Sequence, residues 1–300
     1  MDKVGKSGFV ALLGRANVGK STLINRLVGA KIAITSPRPQ TTRNRIIGVK
    51  SGPFGQVVFM DTPGVAFHKS TMTKSMLHAA EKAGAECDLA LFMTDATDPD
   101  PEAEKAALAR LGMNKAGIEV FLAINKIDAI PKERLLKQIE ELSRAREFLE
   151  IVPISAKTGE NVDNLFSLIL DKLPEGPAFY PMDAATDQPE RFVISEIIRE
   201  KAFLLLNQEL PYSVASEVDH VEEKPNVMVL VATLYVERES QKGIVIGKGG
   251  AMLKKIGSSA RRELELKLGC KVFLDLRVKV KEKWTSDNRA VRDFGYGSEG

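Results

Sequence analysis

The stretch "GFVALLGRANVGKST", residues 8–22, decides the fold of the first half of the chain. Its apolar run predicts a buried strand, and the glycines that follow fit G-x-x-x-x-G-K-[ST], a phosphate-binding loop that opens a helix. Glycine lets the backbone wrap around phosphates, while the N–H groups at the helix N-terminus favour the anion. Lys20 would reach the β- and γ-phosphates of a nucleoside triphosphate, and the Ser21 hydroxyl would bind Mg²⁺. The residues of this loop expected at the nucleotide are Gly14, Arg15, Ala16, Asn17, Val18, Gly19, Lys20, Ser21 and Thr22.

Three further motifs follow, each at the end of a predicted strand. In "DTPG", Asp61 can meet Mg²⁺ through a water molecule, and the Gly64 N–H can contact the γ-phosphate. In "NKID", the Asp128 carboxylate can accept hydrogen bonds from the N1–H and N2–H₂ groups of guanine, and in "SAK" the Ala156 N–H can reach guanine O6. The positions expected at the nucleotide are those of the three motifs together with Val65, which follows "DTPG". They are Asp61, Thr62, Pro63, Gly64, Val65, Asn125, Lys126, Ile127, Asp128, Ser155, Ala156 and Lys157.

Asp128 also indicates which base the site would exclude. Adenine presents an acceptor at N1 and has no 2-amino group, so it would leave the carboxylate unpaired. A site that leaves a buried polar group unpaired can reject a competing base by about 10⁴-fold. We therefore expect GTP and GDP, rather than adenine nucleotides, as ligands.

Alternating strand-like and helical segments occupy residues 8–172. Strands are predicted at 8–13, 45–50, 56–60, 88–93, 118–124 and 151–155. Helices are predicted near 19–29, 70–86, 101–116, 131–149 and 161–172. This order predicts an α/β domain whose mainly parallel sheet is covered by helices on both faces. Ligands of such sheets bind at the carboxyl ends of the strands, where the four motifs lie.

Four prolines between 173 and 190 divide the chain, because proline interrupts helices and stiffens a linker. The predicted parts are a nucleotide-binding domain at 1–172, a linker at 173–190, a second domain at 191–284 and a tail at 285–300. In the second domain, a smaller α+β fold is predicted from helices near 191–207, 241–246 and 250–268 and from strands near 213–222, 227–238 and 271–280.

A second glycine-rich loop, "GIVIGKGG" at 243–250, lacks the spacing and the Lys-Ser ending of a triphosphate loop. It fits I-G-x-x-G, with Gly247 and Gly250 at the fixed positions, the loop with which KH domains hold about four nucleotides of single-stranded nucleic acid. The order of helices and strands around it matches the type II KH domain. In "RVKVKEK", 277–283, alternate residues are basic, so a strand would place four cations on one face. The residues expected at RNA are Ile246, Gly247, Lys248, Gly249, Gly250, Lys254, Lys255, Arg261, Lys279 and Lys281.

Charge and composition limit the kinds of partner that the protein can have. Residues 242–283 hold twelve Lys or Arg and four acidic residues, a net +8, so the rest of a chain that totals +3 carries −5. Such localised positive charge is typical of a surface that binds a polyanion. Cys87 and Cys270 show no metal-ligand spacing and indicate free thiols in a reducing compartment. The first apolar run is too short for a signal peptide, and no run approaches the ~20 apolar residues of a membrane span, so we expect a cytoplasmic protein.

The ordered set "GRANVGKST", "PQTTR", "DTPG", "NKID" and "SAKTG", followed by "GIVIGKGG", resembles the Era-like family of bacterial GTPases, in the TrmE-Era-EngA-septin-like group. The resemblance covers nearly the whole chain, and the assignment of the base to guanine draws on it. It implies hydrolysis of GTP to GDP and phosphate, with Lys20, Thr42 and Gly64 at the reacting phosphate. It also implies that Thr42 binds Mg²⁺, with Thr41 as the alternative. The sequence departs from the family at Ala16, where proline is usual.

Two residues set expectations about catalysis. Val65 follows "DTPG" at the position where Ras-like enzymes have the glutamine that orients the attacking water, so intrinsic hydrolysis should be slow. Asn17 matches an asparagine with which related GTPases hold a potassium ion at the phosphates. Activation by K⁺ is therefore a hypothesis, which equal hydrolysis rates in Na⁺ and K⁺ would contradict.

The resemblance implies a role in assembly of the 30S ribosomal subunit, with the second domain binding the 3′ end of 16S rRNA. It also implies peripheral contact with the anionic surface of the inner membrane, and we expect a monomer. The alternative is a GTPase signalling switch whose basic C-terminal domain docks mainly on a membrane or a protein. Binding of RNA should fall steeply with salt and depend on Gly247, Lys248 and Gly250, which separates the two interpretations.

Overall fold

The computed structural model describes residues 5–36, 38, 41–64, 71–113, 118–207 and 210–296, with the backbone alone at 71–75. The chain divides into two compact units, and the main boundary between them lies between Asp187 and Gln188. Each unit has its own sheet and its own hydrophobic core. Val65, for which a role at the nucleotide is predicted, lies outside the described residues.

The first unit is built on one sheet, with strand order β2-β3-β1-β4-β5-β6 and the short β7 beside β1. Its strands are β1 (Gly5–Gly14), β2 (Ile46–Gly52), β3 (Gly55–Asp61), β4 (Leu89–Asp95), β5 (Val120–Asn125), β6 (Glu150–Pro153) and β7 (Glu175–Gly176). Its helices are α1 (Lys20–Val28), α2 (Thr71–Glu86), α3 (Pro101–Arg110), α4 (Lys132–Ser143) and α5 (Val162–Lys172). Strands β2 and β7 are antiparallel to their neighbours β3 and β1, and the other pairs are parallel.

Side chains of β1 alternate between two hydrophobic cores, one on each face of the sheet. Leu12 packs on one face with α1 and α5, while Leu13 packs on the other with α2, α3 and α4. Both leucines are fully buried. Burial on both faces explains the continuous apolar run of this strand and confirms the predicted α/β sheet with helices on two sides.

Helix α4 is shorter than its sequence predicts. The helix was expected near 131–149 but ends at Ser143. Beyond it, Arg146 Nη2 donates to Ile118 O at 2.6 Å, and Leu149 N donates to Val120 O at 2.9 Å. These hydrogen bonds bring the segment to the sheet at β5, so tertiary contacts override the helix propensity of the sequence.

The proline-rich segment at 173–187, which we call the strap, packs against the sheet of the first unit. Gln56 on β3 is fully buried and binds the strap through both ends of its amide. Its Nε2 donates to Tyr180 O at 2.9 Å, and its Oε1 accepts from Phe179 N and Tyr180 N at 2.8 Å each. One side chain on the sheet therefore satisfies three backbone groups of the strap.

Strand β2 holds the later part of the strap. Thr186 Oγ1 donates to Ile47 O at 2.6 Å, and Val49 N donates to Ala185 O at 2.9 Å. Most of the predicted linker at 173–190 is thus bound to the first unit rather than free in solvent. Proline composition indicates where helices stop, but it carries no information about these contacts.

The second unit has a three-stranded sheet in the order β10-β9-β8. Its elements are α6 (Glu190–Leu205), β8 (Ala215–Lys224), β9 (Val227–Val236), α7 (Glu239–Ile246), α8 (Ala251–Leu268), β10 (Lys271–Val280) and α9 (Asn288–Asp293). Strand β9 is parallel to β10 and antiparallel to β8. The core joins apolar side chains of α6, α8 and the sheet, such as Ile198, Leu264 and Leu230. This arrangement confirms the predicted smaller α+β domain.

Residues 281–296 complete the second unit rather than forming a free tail. Trp284 is fully buried, and its indole N–H donates to Ser213 O at 2.9 Å. The rings of Phe294 and Tyr296 lie 5.1 and 5.8 Å from its ring. An aromatic cluster therefore holds much of the predicted tail at 285–300.

Clusters of metal-binding side chains and membrane-spanning helices are absent from the part of the chain that the structure describes. Cys87 and Cys270 are free thiols. Over the described ranges, no group of three or more His, Cys, Asp or Glu side chains is placed to hold a metal ion. None of the helices in those ranges is both long enough and apolar enough to cross a membrane.

Candidate functional site

A cavity of about 620 Å³ lies at the carboxyl ends of the parallel strands in the first unit. Sequence reasoning predicted most of the residues that line it, which are Ala16, Asn17, Gly19, Lys20, Ser21, Thr22, Thr42, Gly64, Asn125, Lys126, Asp128, Ala156 and Lys157. Thr41, the alternative to Thr42, also lines it, and four further lining residues were not predicted: Ile34, Thr35, Ser36 and Ala129. The sheet therefore brings the four motifs to one cavity, as its topology requires.

The conformation of the phosphate-binding loop at 14–22, the first loop, depends on glycine. Gly14 and Gly19 have φ angles of 136° and 101°, a region that favours glycine. A Cβ on Gly19 would lie 2.2 Å from the Asn125 side-chain nitrogen, and a Cβ on Gly14 would lie 2.3 Å from Met93 O. Any side chain at either position would displace the loop from the neighbouring strands.

Lys20 is buried beneath the loop with its ammonium group directed at backbone carbonyls. Its Nζ donates to Arg15 O at 2.9 Å and to Gly14 O at 3.2 Å. Burial lowers the pKa of Lys20 to about 8, although the charge of Asp61 opposes the shift. A desolvated cation held in this way interacts more strongly with a phosphate anion than an exposed lysine does.

Ser21, Thr42 and Asp61 form a compact oxygen cluster at the start of α1. Ser21 Oγ lies 2.8 Å from Thr42 Oγ1 and donates to Asp61 Oδ2 at 2.6 Å. Thr42 Oγ1 also donates to Asp61 Oδ2, at 3.3 Å. Thr41 Oγ1 instead donates to Arg38 O at 2.9 Å, so the structure brings Thr42 rather than Thr41 to the cluster.

The Asp61 carboxyl group is fully buried, and its second oxygen, Oδ1, has no hydrogen-bond partner among the described residues. Burial raises the pKa of Asp61 to about 6, while Lys20 and the hydroxyls of Ser21 and Thr42 oppose the shift. A buried carboxylate with an unused oxygen beside two hydroxyls is a donor set that suits a hard cation.

At the other end of the cavity, Asn125 connects the first loop to the loop after β6. Its Nδ2 donates to Val18 O and its Oδ1 accepts from Ala156 N, both at 2.8 Å. The Ala156 N–H, predicted to reach guanine O6, is therefore engaged by Asn125 in this structure. Asp128 lines the cavity, and its Oδ1 accepts a hydrogen bond from Ser155 Oγ at 2.7 Å.

Lys126 lies over the first loop. Its Nζ donates to Asn17 O at 3.0 Å and forms an ion pair with Asp95 at the end of β4. Its backbone is left-handed, with φ of 68°. These contacts connect the end of β4, the loop after β5 and the first loop around one cation.

Several predicted nucleotide contacts do not line the cavity. These residues are Gly14, Arg15, Val18, Asp61, Thr62, Pro63, Ile127 and Ser155. Some of them support the site instead, since Val18 is buried in the core and Thr62 Oγ1 donates to Leu12 O at 2.7 Å. A motif identifies a segment, whereas the fold decides which of its side chains face the ligand.

Arg15 is directed away from the cavity towards α3. It pairs with Glu104 at 3.2 Å and with Asp98 at 3.3 Å. Glu104 is buried, and burial raises its pKa to about 7 against the opposing charge of Arg15. No signal in the sequence connects this glutamate to the loop, because Glu102 on the same helix is an equally acidic candidate.

A groove of about 370 Å³ lies between α8 and β10 in the second unit. Three of the residues predicted at RNA line it: Gly250, Lys254 and Arg261. Its other lining residues, which sequence reasoning missed, are Leu253, Gly257, Ser258, Phe273, Leu274 and Leu276. Steps of three and four residues from Gly250 to Arg261 mark one face of a helix, so helical periodicity could have identified half of this set.

The glycine loop before α8 has the conformation that its sequence implies. Gly247, Gly249 and Gly250 have φ angles of 73°, 59° and 79°. A Cβ on Gly247 would lie 2.8 Å from Met252 Cβ, whereas a Cβ on Gly249 or Gly250 would meet no atom within 4 Å. The backbone of the loop is therefore open to a ligand next to the groove.

The basic face predicted at 277–283 is only partly formed. Strand β10 ends at Val280, and the backbone of Lys283 is left-handed, with φ of 50°, so the alternation of side chains does not continue to Lys283. Lys281 lies 3.6 Å from an oxygen of Asp293 and 4.5 Å from the centre of the Phe294 ring. The prediction of four cations on one face was wrong, because residues after β10 turn towards α9.

Comparison with known proteins agrees with this geometry. The family model described as 50S ribosome-binding GTPase matches residues 9–126, and a KH domain model matches residues 209–285. GTPase Era of Geobacter metallireducens is 49% identical over 293 residues, which cover 97% of this chain and 98% of that protein. GTPase Era of Heliobacterium modesticaldum is 45% identical over 297 residues, with 99% and 98% covered.

Solved structures match over the same length. A crystal structure of Era in complex with MgGDPNP and nucleotides 1506–1542 of 16S ribosomal RNA has a TM-score of 0.94 and 42% identity, covering 98% of this chain and 99% of that one. A variant of Era from Aquifex aeolicus bound to GDP and AlF₄⁻ has a TM-score of 0.93 and 43% identity, covering 97% and 99%. The chain belongs to the Era family of GTPases.

Proposed function

We propose that the chain is a GTP-hydrolysing switch that binds the 3′ end of 16S rRNA through its second unit and assists assembly of the 30S subunit. The observation that carries this proposal is the groove between α8 and β10, which begins at an open glycine loop in a chain that also has the nucleotide cavity. A related protein of 42% identity was crystallised with both MgGDPNP and a 16S rRNA segment.

The oxygen cluster supports a Mg²⁺ site next to the triphosphate. Ser21 and Thr42 would bind the ion through their hydroxyls, and Asp61 would hold it through water. The unpartnered Oδ1 of Asp61 fits this role, since a buried carboxylate oxygen needs a partner. When bound, Mg²⁺ neutralises negative charge that develops on the β- and γ-phosphates.

The protein groups around the γ-phosphate position have distinct roles in this proposal. Lys20 supplies a fixed positive charge, which stabilises the transferring phosphoryl group without reorganisation of solvent. Gly64 lines the cavity, and a Cβ there would lie 2.4 Å from Ala16 Cα, so glycine is needed for its N–H to approach the phosphate. Asn17 also lines the cavity, and activation by K⁺ stays a prediction that rates in Na⁺ and K⁺ can test.

We expect Thr42→Ala to lower the rate of GTP hydrolysis by about 100-fold, because the cluster loses a hydroxyl that stabilises the metal-bound phosphate. Thr41→Ala is the matched control, since its hydroxyl binds Arg38 O instead. It should keep the wild-type rate within about twofold. Single-turnover phosphate release over a range of Mg²⁺ concentrations measures both variants. Equal losses in the two variants would contradict the assignment of Thr42.

The groove of the second unit has the chemistry of a single-strand RNA site. Leu253, Leu274 and Leu276 give it an apolar lining, and Lys254 and Arg261 can pair with phosphates. Phe273 is 60% exposed at the groove, where a base can stack on its ring. Bases would lie in the groove while the glycine loop contacts the backbone of the RNA.

We expect Gly247→Asp to weaken binding of the 16S rRNA 3′ segment by at least about tenfold, because the new side chain clashes with Met252 and places an anion at the RNA backbone. Gly243→Asp, one turn earlier in α7, is the control with the same charge change, since a Cβ there meets nothing. Lys254→Gln should reduce the slope of log affinity against log salt by about one. Filter binding at several salt concentrations measures all three variants.

Crosslinking of the protein to total cellular RNA, with GTP or GDP bound, tests the RNA target directly. Enrichment of the 16S rRNA 3′ end supports the proposal, and enrichment of no rRNA segment contradicts it. The alternative, a signalling switch docked on a membrane or a protein, is not favoured, because the related structure holds rRNA. Cytoplasmic location fits a factor that acts on ribosomal RNA, while peripheral membrane contact and a monomeric state stay predictions.

A further inference from the structure

The last turn of α1 contacts the loop that follows β6. Arg26 Nε donates to Ala156 O at 2.7 Å, and Arg26 Nη2 donates to Lys157 O at 2.5 Å. The guanidinium group therefore bridges two successive carbonyls of the loop. Charge-assisted hydrogen bonds of this kind are stronger than neutral ones and fix direction as well as distance.

The same loop leaves space for the guanidinium group by using glycine. Gly159 has φ of 96°, and a Cβ on it would lie 2.6 Å from Arg26 Nη1. Gly159 N donates to Ser155 O at 2.8 Å, which closes the loop around this contact. Arg26 is thus enclosed on one side by the loop that it binds.

The loop held by Arg26 orients the groups proposed to recognise guanine. Ser155 donates its hydroxyl hydrogen to Asp128, and Ala156 N–H donates to Asn125. A shift of the loop would therefore move the hydrogen-bond partners of the Asn125 and Asp128 side chains. Small displacements of this kind reduce the accuracy with which a carboxylate meets the N1–H and N2–H₂ groups of a base.

Helix α1 connects this loop to the phosphate end of the cavity. Lys20 and Ser21 lie in its first turn, and Arg26 lies about 9 Å further along its axis. One rigid helix therefore carries both the groups at the phosphates and the guanidinium group that holds the loop after β6. We propose that Arg26 is a positioning residue that fixes the loop at 155–159 for guanine recognition.

A simpler role for Arg26 is stabilisation of α1, since a cation near a helix C-terminus interacts favourably with the helix dipole. Lysine at this position would keep the charge but could not bind two carbonyls as a planar fork. Arg26→Lys therefore separates the two roles. The inference rests on the proposed guanine site, so selectivity of the wild-type protein for GTP over ATP must be measured first.

The test compares Arg26→Lys and Arg26→Gln with the wild-type protein. We expect both variants to raise the Kd for GTP by about tenfold. The preference for GTP over inosine triphosphate, which lacks the 2-amino group, should fall by about threefold or more. The kcat at saturating GTP should stay within about twofold, because the phosphate end of α1 is unchanged. Arg144→Lys is a matched control, since Arg144 directly follows α4 and forms an exposed pair with Glu140.

Gly159→Ala provides a second, independent variant, because its methyl group would displace the Arg26 guanidinium. We expect it to weaken GTP binding in the wild-type background and to cost less in the Arg26→Gln background, where that contact is already lost. Wild-type affinity in Arg26→Lys, or additive effects of the two substitutions, would overturn the inference. A lower kcat together with a lower Tm in the Arg26 variants would also overturn it. A wild-type protein that does not discriminate GTP from ATP would instead contradict the proposed guanine site.

Discussion

Replacement of Asp128 by asparagine is expected to change the preferred nucleotide from guanosine to xanthosine triphosphate. Asp128 lines the cavity, with one carboxylate oxygen held by Ser155. Its two acceptors match the N1–H and N2–H₂ groups of guanine. Asparagine keeps one acceptor but presents an NH₂ group to the 2-amino group, so two donors would face each other without a partner. Loss of GTP affinity should reach about 10⁴-fold.

Xanthine carries an oxygen at the 2-position, which accepts a hydrogen bond from the new NH₂ group. Xanthosine triphosphate should therefore bind Asp128→Asn more tightly than GTP binds this variant, and hydrolysis should recover with that nucleotide. Competition of unlabelled nucleotides against a fluorescent GDP analogue measures the affinities. Asp171→Asn, an exposed aspartate at the end of α5, is the control and should leave them unchanged. Equal weakening of both nucleotides would contradict the base-recognition role of Asp128.

Replacement of Lys20 by alanine is expected to lower GTP hydrolysis by about 10³-fold. The reason is the environment of its ammonium group, which is buried and held by the carbonyls of Gly14 and Arg15. Alanine would remove the fixed charge at the phosphates and would also leave these carbonyls without their donor. An exposed lysine elsewhere cannot replace the charge, because solvent screens it.

Phosphate release in single turnover, at saturating GTP, measures the effect of Lys20→Ala on the chemical step. Lys105→Ala on α3 is the control, since Lys105 forms an exposed pair with Glu102. The Tm of each variant should be compared without nucleotide, so that a folding defect is recognised. A loss of less than about tenfold in Lys20→Ala would contradict the role assigned to its charge.

The sequence predicts the nucleotide cavity well because the chemistry of phosphate binding restricts backbone and side chain together. Only glycine fits at Gly14 and Gly19, where a Cβ would meet neighbouring strands, and Lys20 and Ser21 follow at a fixed spacing. The four motifs meet because parallel strands end at one edge of the sheet. These are local requirements, so they are visible in short stretches of sequence.

Other parts of the site depend on contacts between segments that are far apart in the chain. Arg26 meets the loop after β6 across about 130 residues, and no motif marks it. In the sequence, Lys281 continues an alternating strand pattern, but its pairing with Asp293 depends on a turn that the pattern does not contain. Such residues can be predicted only when the fold is known, since their function lies in the partner that they reach.

The strap has a consequence for how the first domain can be isolated. A fragment that ends at Lys172 would expose the apolar surface beneath Phe179 and leave the buried amide of Gln56 without the backbone groups that it now binds. Prolines and polar residues usually mark sites of proteolytic cleavage, but hydrogen bonds to the backbone of Phe179, Tyr180 and Ala185 should protect this segment. Residues up to Asp187 therefore belong in any fragment intended to fold alone, and proteases should cleave the segment only after it detaches from β2 and β3.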